Sequence, residues 1–264
     1  MQECPIGIYS CNTKLMKHFT AIFITVLLLL VTACNSPLSN AKVGDLSAIS
    51  AKIEIIQDLT NKKDNSISVS LYDKDGDVIA NKDIKIKVND TILDFIQKQE
   101  LYYTTTTKYG KDNIPSDHLF KFEVILTNGK SYFLGSVAPI TEINEDDIHL
   151  SEKGNFDKET MIYWNNLKEV NQISITKSVL LKTSTKTEKN YDYEPLAAKK
   201  IANTGRYVIL KSHYVTERSI ISGLEIKFSA SKTGIMNSEL LENSSITING
   251  HIDKYINFEE LNQN

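Results

Sequence analysis

The chain has 264 residues with 30 basic and 33 acidic side chains, a formal net charge of −3, and three cysteines. That near-balance offers no concentrated basic excess of the kind a phosphate-binding surface needs, which argues against nucleic acid as a partner. Cys4, Cys11 and Cys34 all precede the bulk of the chain, so the residues from 35 onward can use no disulfide, no cysteine nucleophile and no thiolate metal site.

Residues 16–34, MKHFTAIFITVLLLLVTAC, have the layout of an export signal. Lys17 supplies a cationic start, an apolar run covers residues 19–31, and the small residues Thr32 and Ala33 stand directly before Cys34. The run is too short for a spanning helix, which needs about 20 apolar residues. Because a leader carries its charge at its start, Met16 is the expected first residue; the fifteen residues before it are either an over-extended reading frame or a genuine extension. Val31-Thr32-Ala33-Cys34 resembles the lipobox of bacterial lipoproteins. That resemblance implies removal of residues 1–33 as a signal peptide and attachment of acyl chains, palmitate among them, to Cys34. Acyl chains contribute about 0.8 kcal/mol per buried CH₂, so several together hold a protein at a membrane where one alone holds marginally.

Loss of 33 of the 264 residues leaves 231, enough for two domains. Residues 34–50, rich in serine, asparagine and small side chains, suit a lipidated, flexible tether. From residue 51 the pattern changes to period-two alternation, the mark of strands with one face buried. Ile67, Val69 and Leu71 alternate with serines; Ile84, Ile86 and Val88 alternate with polar residues; Phe120, Phe122, Val124 and Leu126 repeat the arrangement. Asn128-Gly129 then signals a two-residue hairpin of type I′, in which both central residues take positive φ. Strands are expected near Ile53, Ile67, residues 78–88, Ile92, Tyr102, Phe122 and Tyr132, making residues 51–139 a first antiparallel β-sandwich, with Ile67, Val69, Phe120, Phe122 and Val124 in its core.

A proline and an acidic cluster at residues 138–147 (APITEINEDD) mark the domain boundary, and residues 140–264 form the second expected sandwich. Its best strands are residues 161–164, 173–181, 207–210, 224–228 and 246–248. Residues 195–203 suggest the one short helix, with Pro195 near its start and Gly205 as its C-cap. The polar stretch before it, residues 182–194, reads as a mobile loop or protruding hairpin. The fold class expected is therefore all-β, two tandem antiparallel sandwiches after a signal peptide and tether.

The chemistry-bearing motifs are sparse. Asp73, Asp75 and Asp77 around Gly76 place oxygen ligands at alternate positions, but a calcium loop would need glycine where Val78 stands and glutamate where Ile84 stands, so a tight turn is the better reading. His118, His149, His213 and His251 are scattered, and no metal site or cofactor is expected from them. Gly135-Ser136 lies in an alternating strand, unlike the strained elbow of a hydrolase. Glu142, Glu145, Asp146 and Asp147 read as solvated charge rather than a glycosidase pair. Trp164, the lone tryptophan, reads as a core anchor between sheets. Tyr102, Tyr103, Tyr109, Tyr191 and Tyr193 sit among polar residues and are the candidate partner-binding side chains, since tyrosine presents apolar area with a polar tip.

The segments SISVSLYDKDGDVIANKDIKIKVN and FKFEVILTNGKSYF resemble, in texture, the tandem immunoglobulin-like or fibronectin type III-like domains of uncharacterised outer-membrane lipoproteins of Gram-negative bacteria. The resemblance implies no functional residue beyond Cys34. Asn35-Ser36-Pro37 lacks the aspartate of an inner-membrane retention signal and the acidic run of surface-exported lipoproteins, which favours an outer-membrane protein facing the periplasm. The expected function is a non-catalytic, lipid-anchored cell-envelope module that binds or scaffolds a protein or glycan partner. A periplasmic immunity or assembly factor for a secreted protein is the alternative.

Overall fold

The computed structural model describes residues 43–99, 105–151, 153–185 and 188–258. The leader with Cys34, Tyr102 and Tyr103 lie outside the described residues. Regular structure within them is β-strand, with only short 3-10 turns such as Leu46–Ala48 and Glu145–Asp147. No helix among the described residues is long and apolar enough to cross a membrane.

The first part of the chain contributes β1 (Ile49–Asp58), β2 (Asn65–Asp73), β3 (Lys85–Val88), β4 (Thr91–Ile92), β5 (Asp94–Gln99), β6 (Thr105–Lys111), β7 (Phe120–Ile125) and β8 (Ser131–Val137). The second contributes β9 (Ile148–His149), β10 (Lys153–Gly154), β11 (Thr160–Trp164), β12 (Gln172–Leu181), β13 (Tyr191–Lys200), β14 (Gly205–Ile209), β15 (Ser219–Thr233), β16 (Ile235–Met236) and β17 (Ser245–Phe258). They assemble into three sheets. The largest runs β13-β12-β15-β17-β1-β2-β6-β5, with β10 also pairing to β17; a three-stranded sheet runs β14-β11-β9 and a five-stranded one β16-β8-β7-β3-β4.

The alternation in the sequence becomes burial in these strands. Ile67, Val69, Phe120, Phe122 and Val124 are all buried, as are Ile84, Ile86, Val88, Leu224, Ile226 and Phe228. Successive side chains of a strand point to opposite faces, so each strand offers one apolar row to the sheet opposite. Strand β17 is the spine of the arrangement. Its residues Ile246, Ile248, Ile252, Ile256 and Phe258 share one parity and are all buried. Near one end that face meets the five-stranded sheet, where a Cβ on Gly234 would lie 2.5 Å from Ile246 Cγ2 and 2.8 Å from Val137 Cβ. Farther along, the ring of Phe228 on the neighbouring β15 meets Trp164 of the three-stranded sheet edge-on, with centroids 5.6 Å apart. Two smaller sheets thus cover the inner face of one large sheet, a sandwich-like, all-β arrangement.

The boundary expected at residue 139 lies in the connection after β8. The large sheet passes through both sides of it, because β1 pairs in parallel with β17, Lys52 opposite Ser245 through Asp58 opposite His251. Glu169 ties the connection down: its carboxylate accepts from the Thr141 backbone N–H and from Lys232 Nζ at 2.5 Å, and the same ammonium donates to Pro139 O at 2.9 Å. The Glu169 carboxyl loses solvation by partial burial, but the bonds from Lys232 and Thr141 outweigh that and hold its pKa below the ordinary carboxylate value.

Three local expectations are corrected. Residues 195–203 are not a helix: residues up to Lys200 belong to β13, an edge strand paired antiparallel to β12. The helix-forming composition yields to the row of backbone donors and acceptors that β12 presents, and Pro195 is tolerated because the ladder is irregular there, with a register shift at Ile175/Thr176. Gly205 is accordingly no helix cap. It lies in β14 beneath the indole of Trp164, where a Cβ would meet Cζ2 at 2.6 Å. The β7–β8 turn is not type I′ either. Gly129 has φ 79° but Asn128 does not take positive φ, and Gly129 N donates to Leu126 O while Leu126 N donates to Lys130 O. That is a three-residue loop closed by a glycine in the left-handed region.

Candidate functional site

The sequence-derived candidates separate once placed in the fold. Tyr109 is not an exposed aromatic: it is 1% exposed, its ring packs edge-on against Phe95 with centroids 5.4 Å apart, and its hydroxyl donates to Asn81 O at 2.7 Å. Burial pushes its phenol well above the ordinary value, so it stays protonated. Position on β6 explains this, since Tyr109 stands opposite Val69 and Phe95 on the inner face. Trp164 is buried as expected, with Nε1 donating to Ala202 O at 2.9 Å.

Tyr191 and Tyr193 are exposed, by 50% and 69%, and sit two apart on the edge strand β13, hence on one face of it. They are not in a loop; the turn of the β12–β13 hairpin ends before them. The strand beneath is held firmly. Lys177 points inward and is nearly buried, and its Nζ lies 2.7 Å from Glu194, which also accepts from Ser219 Oγ at 3.3 Å. Removing Glu194 would leave the nearly buried Lys177 ammonium unpaired, so the pair helps fix how β13 lies on β12.

The remaining motifs are structural. Asp73 caps its own turn, its carboxylate accepting from the N–H groups of Asp75 and Asp77 at 3.0 Å each, while Gly76 takes φ 84°. Glu142 and Glu145 of the acidic connection pair with Lys62 at 3.3 Å and Lys254 at 2.5 Å. Among the described residues no three His, Cys, Asp or Glu side chains gather around one point that could hold a metal ion.

A feature that periodicity does not reveal is a cleft on the outer face of the large sheet. β2 and β6 are paired only from Ile67 opposite Lys111 to Val69 opposite Tyr109, and beyond that they part. The β5–β6 hairpin continues for six paired positions, Asp94–Gly110 to Gln99–Thr105. Between it and the outer face of β1 and β2 lies a hollow of about 500 Å³ lined by Glu54, Ser68, Ser70, Tyr72, Val78, Ile96, Lys98 and residues 105–108. Ile96 reaches the floor because Gly110 has no side chain; a Cβ there would lie 3.2 Å from Ile96 Cδ1. Tyr72 stands at the rim under Lys52, whose Nζ is 5.3 Å from the ring centroid. On the wall, Thr107 is 6% exposed and its Oγ1 has no hydrogen-bond partner. A buried hydroxyl left unpaired costs about 1–3 kcal/mol, so valine would serve a purely structural strand better at this position.

The chain's sequence matches no known protein family and no curated protein. Among 26 solved chains that match it is one titled "Cytokine receptor complex - Crystal form 2", at 8% identity and a TM-score of 0.24, covering 69% of this chain and 90% of that one. So loose a superposition carries no argument about function.

Proposed function

We propose that this protein is a non-catalytic binding or scaffolding module of the cell envelope, anchored to a membrane through acyl chains on Cys34. In this reading residues 1–33 are a lipoprotein signal peptide and the sandwiches, of immunoglobulin or fibronectin type III style, face the periplasm from the outer membrane. The lipobox-like Val31-Thr32-Ala33-Cys34 supports the anchor. The observation that carries the binding role is the pair Tyr191 and Tyr193, large exposed aromatics side by side on a strand fixed by the Lys177–Glu194 pair. Rigid tyrosines lose little entropy on contact and offer both apolar area and a hydroxyl, which is the composition of protein and glycan interfaces.

The test is capture of partners from detergent-solubilised membranes with the full chain and with a Tyr191→Ala, Tyr193→Ala double variant. Loss of a partner from the variant, with an unchanged unfolding transition, is the expected result. Identical captured sets from the two proteins would overturn the assignment of the contact to β13.

A further inference from the structure

We propose that the cleft between β2 and the β5–β6 hairpin binds a neutral sugar unit of a glycan. The cleft is a second site, apart from the tyrosine pair, because β13 and β5 are the opposite edges of the large sheet.

The argument is one of matched chemistry. A sugar ring presents hydroxyls that each donate and accept, with patches of C–H between them, so its site needs acceptors, donors and some apolar area close together. The cleft has all three. The hydroxyls of Ser68, Ser70 and Thr105 make no hydrogen bond to any described protein group, and among the described residues neither Glu54 nor Lys98 nor Lys108 is in an ion pair. Glu54 supplies an acceptor, the two ammonium groups supply donors, and the serines and threonines serve as either. Val78 and Ile96 form the apolar part and Tyr72 an aromatic rim. Sites for small ligands hold about 300–1,000 Å³, and this hollow falls in that range at about 500 Å³.

Two other occupants fit worse. An anion such as phosphate would meet Lys98 and Lys108 but also the carboxylate of Glu54 on the same walls. A peptide adding as a strand would need a free edge on β2 beyond Val69. That edge is already taken, since Ile79 N donates to Leu71 O at 2.9 Å and Tyr72 bridges to Val78. Both walls are strands, so the groups are held in place before a ligand arrives.

The full chain in detergent micelles, applied to a printed array of neutral di- to hexasaccharides, tests this directly. Retention of at least one saccharide is expected. Ser70→Phe, which fills the cleft, and Glu54→Gln, which keeps shape but weakens the acceptor, should lower apparent affinity for it at least tenfold in one or both variants. The Tyr191→Ala, Tyr193→Ala variant should retain the saccharide normally, which separates this site from the one on β13. An array with no retained saccharide would overturn the proposal. So would retention unaltered in both cleft variants with unchanged circular dichroism, or displacement of the sugar by millimolar inorganic phosphate that weakens with added sodium chloride.

Discussion

Gly205→Ala should unfold this protein more easily although it adds a single methyl group. An ideal Cβ at position 205 would lie 2.6 Å from Trp164 Cζ2, 2.9 Å from Cε2 and 3.2 Å from Nε1. The indole cannot tilt away freely, because Nε1 donates to Ala202 O and the ring packs edge-on against Phe228. Overpacking of this kind costs about 1–3 kcal/mol, and a buried N–H pulled from its acceptor about 1–3 kcal/mol more, against a gain of about 0.4–1 kcal/mol from a less flexible unfolded chain. The net expectation is a loss of about 1–6 kcal/mol, the upper part reached only if the indole N–H is pulled from Ala202 O. Trp164 is the only tryptophan in the chain, so urea unfolding followed by its fluorescence reads the site itself, and the native emission should shift as the ring moves. Gly223→Ala is the control: a Cβ there meets nothing nearer than Ile256 O at 3.4 Å, an ordinary contact. Its stability should stay level or rise by up to about 1 kcal/mol, since only the unfolded-chain effect acts there. Equal midpoints for Gly205→Ala and the wild type would refute the packing argument.

Phe122→Ala, in the buried row of β7, should cost about 3–5 kcal/mol in chemical denaturation, whereas Lys121→Ala on the opposite face should cost under about 0.5 kcal/mol. Cys34→Ser should accumulate as an uncleaved precursor that takes up no labelled palmitate; normal maturation would remove the anchor from the proposed function. The Glu169 tie carries a sign that can be checked. Its folded-state pKa is lowered, so its stabilisation is fully present above the unfolded carboxyl value near 4.5 and is lost as pH falls through the folded value. Glu169→Gln should therefore flatten the fall in unfolding free energy below about pH 4.5, measured by denaturant titration at stepped pH.

How far the sequence reached depends on the range of the physics involved. Side chains alternate along a strand by covalent geometry alone, so Ile67 and Val69, or Phe120, Phe122 and Val124, announce their buried face locally, and Asp73 to Asp77 announce a turn because the carboxylate bonds its own neighbours. Trp164 in the core followed from size and isolation. Residues 195–203 misled because helix propensity is local and weak, while the ladder that overrides it is supplied by β12. Tyr109 looked like a surface residue because its partners, Phe95 and Asn81, come from other elements. The pairing of β1 with β17 joins positions 193 residues apart in the chain, as in the bond from Ala51 N to Ser244 Oγ, and no window of sequence contains both. The cleft is of the same kind: its residues are ordinary positions of separate strands, and it exists only because β2 and β6 part after Val69. Burial parity is a property of each strand; which strands meet, and where they diverge, is decided by the packing of all of them together.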